Sequence, residues 1–141
     1  MSSPQLDTPE RGFSFYQNGP LDMRMNRDDE LTAADIVNHW DEDELTQLFI
    51  KKGEVRNPGR VVQLILKKRI EKKFETTEQL SLEIESCLGW RKKGQHPATQ
   101  YFLALRMEVN KELEVVENSL EKMLSFLNPG GRLQVLSLIH I

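Results

Sequence analysis

Cysteine is almost absent from this chain: Cys87 is the single one in 141 residues. One thiol excludes an internal disulfide and any zinc site built from several cysteines. Its place beside Ile84 and Leu88 in a helical stretch reads as a small buried hydrophobe. Histidine is as sparse, and His39, His96 and His140 are too scattered to imply a metal site. No apolar run approaches the roughly 20 residues of a membrane helix. No basic-then-apolar leader opens the chain, so export is not expected. With 38% hydrophobic and 29% charged residues, the composition predicts a soluble cytoplasmic protein, long enough for one domain with a core. No internal repeat is visible, and no Gly-x-Gly turn follows a strand-like segment.

What is present is unevenly charged. The net charge of −3 hides three Lys/Arg against eleven Asp/Glu in residues 1–50, thirteen against six in 51–106, and three against five in 107–141. A basic middle in an acidic protein is the pattern of a localised polyanion-binding face. A solvated helical surface would give the same counts, and composition does not separate the two.

Helical signals dominate. Thr32 and Asp35 form a capping-box pattern for a short helix reaching Trp40. A second helix is predicted over Glu42–Lys51, with Leu45, Leu48 and Phe49 inward and Gly53 ending it. Asn57 as cap and Pro58 at the first helical position open a third. Its apolar stripe is Val61, Val62, Leu64, Ile65, Leu66 and Ile70, and Arg60, Lys67, Lys68, Arg69, Lys72 and Lys73 cover the remainder. Thr76-Thr77-Glu78-Gln79 caps a fourth. A basic loop, Gly89 to Gly94, precedes the longest predicted helix, from Pro97 to about Leu127. Asn128-Pro129-Gly130-Gly131 stops it, and Arg132–Leu136 reads as one strand without a neighbour in the chain.

The segment Arg11–Met25 fits neither period. Its fifteen residues contain three aromatics, two glycines, a Gly-Pro turn and an Arg/Asp/Arg set. Gly12 and Gly19 permit backbone angles other residues avoid, and Pro20 fixes one. Phe13, Phe15 and Tyr16 can pin such a loop to a core while Asp22 and Arg24 face a ligand. Ordered loops of this kind tend to carry function, although a packed surface loop without a ligand is an equal reading.

Ser2-Ser3-Pro4-Gln5-Leu6-Asp7, Arg11-Gly12-Phe13-Ser14-Phe15 and Gly19-Pro20-Leu21-Asp22-Met23-Arg24-Met25 resemble the signature of the bacterial small-subunit (16S) ribosomal RNA cytosine-N4 methyltransferase family (MraW-like). His96-Pro97-Ala98-Thr99, the run Ala104–Asn110 and the block Asn128–Leu133 match the same family. The chain departs from it at Gln100, where Arg is usual, and at Asn18 and Asn26, where Asp is common. The resemblance implies a mainly α chain: the helical insertion domain of a Rossmann-like α/β methyltransferase, with one core strand near the C-terminus. The division it implies is 1–30, core segment and active-site loop; 31–95, helical insertion with a basic face; 96–127, a long helix returning to the core; and 128–136, the core strand. Residues 137–141 depart from the family and read as an artefactual or truncated tail. By the same comparison the chain begins inside the enzyme, so the 141 residues alone are expected to be inactive.

The activity implied is S-adenosylmethionine-dependent methylation of a cytosine N4 amine in the decoding region, with 16S ribosomal RNA or the small subunit as partner. Gln5 matches the glutamine that contacts S-adenosylmethionine. Asp22 and Arg24 are the candidates on the reacting-base side: a carboxylate can accept from the amine while a guanidinium holds a phosphate or base edge. An internal salt bridge shaping the loop is the rival role. Arg11 pairs with Asp22 or with RNA. Lys67, Lys68, Arg69, Lys72, Lys73 and the run Arg91, Lys92, Lys93 are candidates for backbone phosphates, which give affinity without base specificity. Trp90 either stacks on RNA or caps the core, and Arg106 is placed to reach back to the loop. A non-catalytic helical RNA- or protein-binding module is the alternative from another class.

Overall fold

Capping residues and apolar spacing set the helices. The computed structural model describes residues 8–89 and 96–135. After a short 3-10 turn at Pro9–Arg11 come α1 (Ala33–His39), α2 (Glu42–Lys51), α3 (Gly59–Glu71), α4 (Thr77–Leu88), α5 (Thr99–Val109) and α6 (Glu112–Ser125). Three begin with reciprocal capping boxes: Thr32 with Asp35, Asp41 with Glu44, and Thr76 with Gln79. Each such cap contributes about 1 kcal/mol by satisfying orphan N–H groups. At α3, Pro58 is the capping residue, so the expected Asn57 cap lies one residue early.

The chain divides into two compact units, one ending at Asn110 and one starting at Lys111. In the first, α2 packs on α3 and α5, α3 on α1 and α4, and α1 on α5. Its core holds Ile36, Val37, Leu45, Phe49, Val61, Val62, Ile65, Leu80, Ile84 and Leu105. Burying each such side chain fully contributes about 1.5–3 kcal/mol. Phe49 meets Tyr101 edge to face at 4.9 Å, and burial pushes the Tyr101 hydroxyl up to about 12. Lys52 and Glu108 pair at 2.6 Å and tie the end of α2 to α5. Ile70, expected on the apolar stripe of α3, is 85% exposed. Cys87, read as buried, is half-buried and free.

The second unit corrects two expectations. The single helix expected from Pro97 to about Leu127 is two, because α5 ends at Val109 and Lys111 adopts a left-handed backbone (φ 47°). The described part of the expected strand, residues 132–135, forms no strand. A strand needs a neighbour for its hydrogen bonds, and pairing among the described residues is limited to an isolated bridge, Pro20 with Thr76. Within this unit α6 buries no residue, and Val115, Val116, Leu120 and Met123 line a groove of ≈ 370 Å³ with Leu133 and Val135.

Candidate functional site: a loop tied down on every side

The loop from Arg11 to Met25 is held by backbone and side-chain bonds along its length. Gly12 sits at φ 69°, and a Cβ there would lie 2.0 Å from the Pro20 carbonyl oxygen. At Gly19 it would lie 1.8 Å from the Pro9 carbonyl oxygen. Both glycines therefore make room for the chain's own backbone. Further along, Leu21 N–H donates to the Glu75 carbonyl (2.9 Å) and Thr77 N–H to the Gly19 carbonyl (2.9 Å). The loop is thereby fastened to the α3–α4 connection. The first two N–H groups of α1, Ala33 and Ala34, donate to the carbonyls of Asp22 and Leu21 (2.9 and 2.8 Å). Orphan donors of a helix start thus hold the loop.

The aromatics divide the work. Phe13 and Met23 are buried in the core, and Phe15 is half-buried against it. Met23 reaches its place through a left-handed backbone (φ 65°), a conformation that costs a non-glycine residue about 1–2 kcal/mol. Tyr16 alone of the three aromatics projects outward, 76% exposed.

Asp22 and Arg24 meet each other. Arg24 donates from Nε to Asp22 Oδ1 (2.7 Å) and from Nη2 to Oδ2 (2.9 Å), a bidentate pair. The Arg24 backbone N–H also donates to Oδ1 (3.1 Å). The remaining guanidinium nitrogen, Nη1, donates to the carbonyls of Arg27 (2.9 Å) and Asp29 (2.6 Å). Burial would raise the Asp22 carboxyl, but the hydrogen bonds and charge of Arg24, with the charge of Arg11, outweigh it. The carboxyl is held below the usual carboxylate range, and Arg24 is raised in turn, first by its side-chain bond to Asp22. Asp22 is thus an ionised acceptor whose Oδ2 takes one bond and retains capacity for another.

Arg11 donates to the carbonyls of Arg24 (2.9 Å) and Met25 (2.7 Å) and lies 5.9 Å from the Phe13 ring. Arg11 was expected to pair with Asp22 or with RNA, and these two bonds serve the loop backbone. From the end of α5, Asn110, four positions beyond Arg106, reaches back to the loop. Its amide donates to the Met23 carbonyl (2.8 Å) and accepts from the Met25 N–H (2.6 Å). Asn110 closes the matched block Ala104–Asn110, but its role was not visible in sequence because its partners lie 85 and 87 positions away.

The basic candidates separate along α3 and just after it. Lys67, Lys72 and Lys73 are exposed. Lys68 pairs with Glu83 at 3.2 Å. Arg69 donates to the carbonyls of Val37 (3.1 Å) and Trp40 (2.6 Å), satisfying the C-terminal end of α1. A groove of ≈ 380 Å³ brings Lys68, Lys72 and Lys73 together with Phe74, Leu82 and Glu83. Gln5, Trp90, Arg91, Lys92 and Lys93 lie outside the described residues. Among the described residues no cluster of metal-ligating side chains occurs, and no helix is long and apolar enough to cross a membrane.

Comparison with known proteins places this loop in a family. The model of the MraW methylase family matches residues 1–141. A protein of Bdellovibrio bacteriovorus named ribosomal RNA small subunit methyltransferase H is 56% identical over 137 residues, 97% of this chain and 42% of its own length. Proteins of the same name from Halothermothrix orenii and Crocosphaera subtropica are 45% and 47% identical over 139 residues. Each match takes in 97% of this chain, against 45% and 43% of those relatives. The chain therefore spans less than half the length of these relatives.

Proposed function

We propose the following for this chain, which belongs to the MraW methylase family: it carries the substrate-facing part of an enzyme that methylates small-subunit ribosomal RNA. In this reading the helices are the insertion domain of a Rossmann-like methyltransferase. The methyl donor is S-adenosylmethionine, the acceptor is the N4 amine of a decoding-region cytosine, and the setting is cytoplasmic. The observation that carries it is the bidentate Asp22–Arg24 pair on a signature loop held by two helices and a helix connection.

Asp22 aligns the amine. An exocyclic amine donates hydrogen bonds, and Asp22 Oδ2 is an ionised acceptor with one bond in place. Its lowered pKa makes it a poor proton acceptor, because an efficient general base titrates near working pH. Its role is to orient the amine. Arg24 fixes the carboxylate and joins it to the turn at Arg27 and Asp29.

The described residues do not by themselves form a cofactor cradle. The space left by Gly12 and Gly19 is filled by carbonyl oxygens of Pro20 and Pro9, and the matched cofactor residue is Gln5 alone. When bound, S-adenosylmethionine supplies the methyl group.

Affinity for RNA comes from Lys67, Lys72 and Lys73, which neutralise phosphates. The test is fluorescence anisotropy of the 141-residue chain on single-stranded ribosomal RNA fragments across a salt series. Reversing the three lysines to Glu should weaken binding and reduce the slope of log K against log salt by about 2. An unchanged affinity and slope would contradict the basic face as an RNA site.

A further inference from the structure

Tyr16 ends a pile of rings. Its centroid lies 4.8 Å from Phe15 with the planes tilted by 33°. Phe15 in turn meets Phe102 edge to face at 4.8 Å and the His96 ring at 4.6 Å. Phe102 is a core residue of α5, so the pile is rooted in the first unit and rises through the signature loop. Ser14 Oγ accepts from the Tyr16 N–H at 3.2 Å, which steadies the turn. Yet Tyr16 as a residue is 76% exposed. Gln17 and Asn18 follow it, exposed, each with an amide that both donates and accepts.

We propose that Tyr16 is a stacking site for an unpaired RNA base, on the same loop as Asp22 but separate from it. The proposal rests on the ribosomal RNA reading above. Single-stranded RNA is held by stacking bases on aromatic faces, with polar side chains reading the base edge. A ring fixed from behind by Phe15 loses little freedom when a base covers it. Gln17 and Asn18 are the neighbours able to bond that edge. A stack of this kind holds a nucleotide beside the target and adds affinity without adding charge neutralisation.

The test uses the 141-residue chain and a fluorescein-labelled single-stranded RNA of about 12 nucleotides, the size range of such sites, with its duplex form as the comparison. Tyr16→Ala should weaken single-strand binding by about 5- to 150-fold, the range measured for loss of one base stack. It should leave the salt slope unchanged, since no phosphate contact is removed. Tyr16→Trp should keep or tighten the affinity, and duplex binding should not respond to either change. Because the ring is exposed, the melting temperature of Tyr16→Ala should match the parent.

Wild-type affinity in Tyr16→Ala, with the Lys67/Lys72/Lys73 reversal still weakening binding, would overturn the stack and leave the RNA reading standing. No RNA binding by the parent chain would overturn both. Self-association that Tyr16→Ala abolishes while RNA affinity is untouched would make the ring a protein contact, and this too overturns the proposal.

Discussion

Asp22 stays charged well into the acid range because Arg24 grips both of its oxygens. A carboxyl with a lowered folded pKa contributes stability that is present above its unfolded value of about 3.9 and is lost as pH falls through the folded value. Asp35 adds in the same direction, its carboxyl lowered first by the Thr32 hydroxyl. Urea unfolding across the acid range should therefore give constant stability from neutral pH to about pH 5, then a decline below about pH 4. Asp22→Asn should lower neutral-pH stability by about 1–2 kcal/mol and flatten part of that decline. An acid limb identical to the parent's would refute the assignment. Gly19→Ala is a harsher change, since its Cβ would overlap the Pro9 carbonyl oxygen at 1.8 Å. Overpacking against backbone should cost about 2–4 kcal/mol in the same assay. The sequence showed that Gly12 and Gly19 were special. It did not show what fills the space beside them, which is the chain itself.

At the level of elements, local signals were legible and distant ones were not. Thr32 with Asp35 and Thr76 with Gln79 were readable as helix starts because a capping box lies within four residues. Ile70 was misplaced because helical period gives a face and says nothing of how far the neighbouring helix extends. The break after Val109 was hidden by apolar spacing that continues through Leu113, Val116 and Leu120. Asn110 bonds the loop and also donates to the Arg106 carbonyl (2.8 Å) in its own last turn. It acts as both stop and clamp. Asn110→Ala should leave α2 and α3 intact while releasing the strained segment around Met23. Hydrogen exchange should then show faster exchange at Met25, whose N–H donates to the Asn110 side chain, with about 1–3 kcal/mol of stability lost. Unaltered exchange at Met25 would show that the clamp does not hold the loop. The candidate site was legible as a loop and as the pair Asp22 and Arg24. That the two bond each other, at 2.7 and 2.9 Å, is what the folded chain adds.

The whole chain combines an acidic N-terminal third, a basic middle and a family match running its full length. Its relatives are more than twice as long as the segment it matches, so its proposed activity is tested most directly in a relative's context. The 141 residues can replace the matched 137 of the Bdellovibrio bacteriovorus relative. The chimera is then expressed in cells lacking their own enzyme of this family, and their small-subunit RNA is digested for nucleoside mass spectrometry. The account predicts N4-methylated cytidine with the chimera, and its loss with Asp22→Asn in a chimera that still folds and binds RNA. A folded chimera that leaves the cytidine unmodified, or an Asp22→Asn form that methylates like the parent, would contradict it.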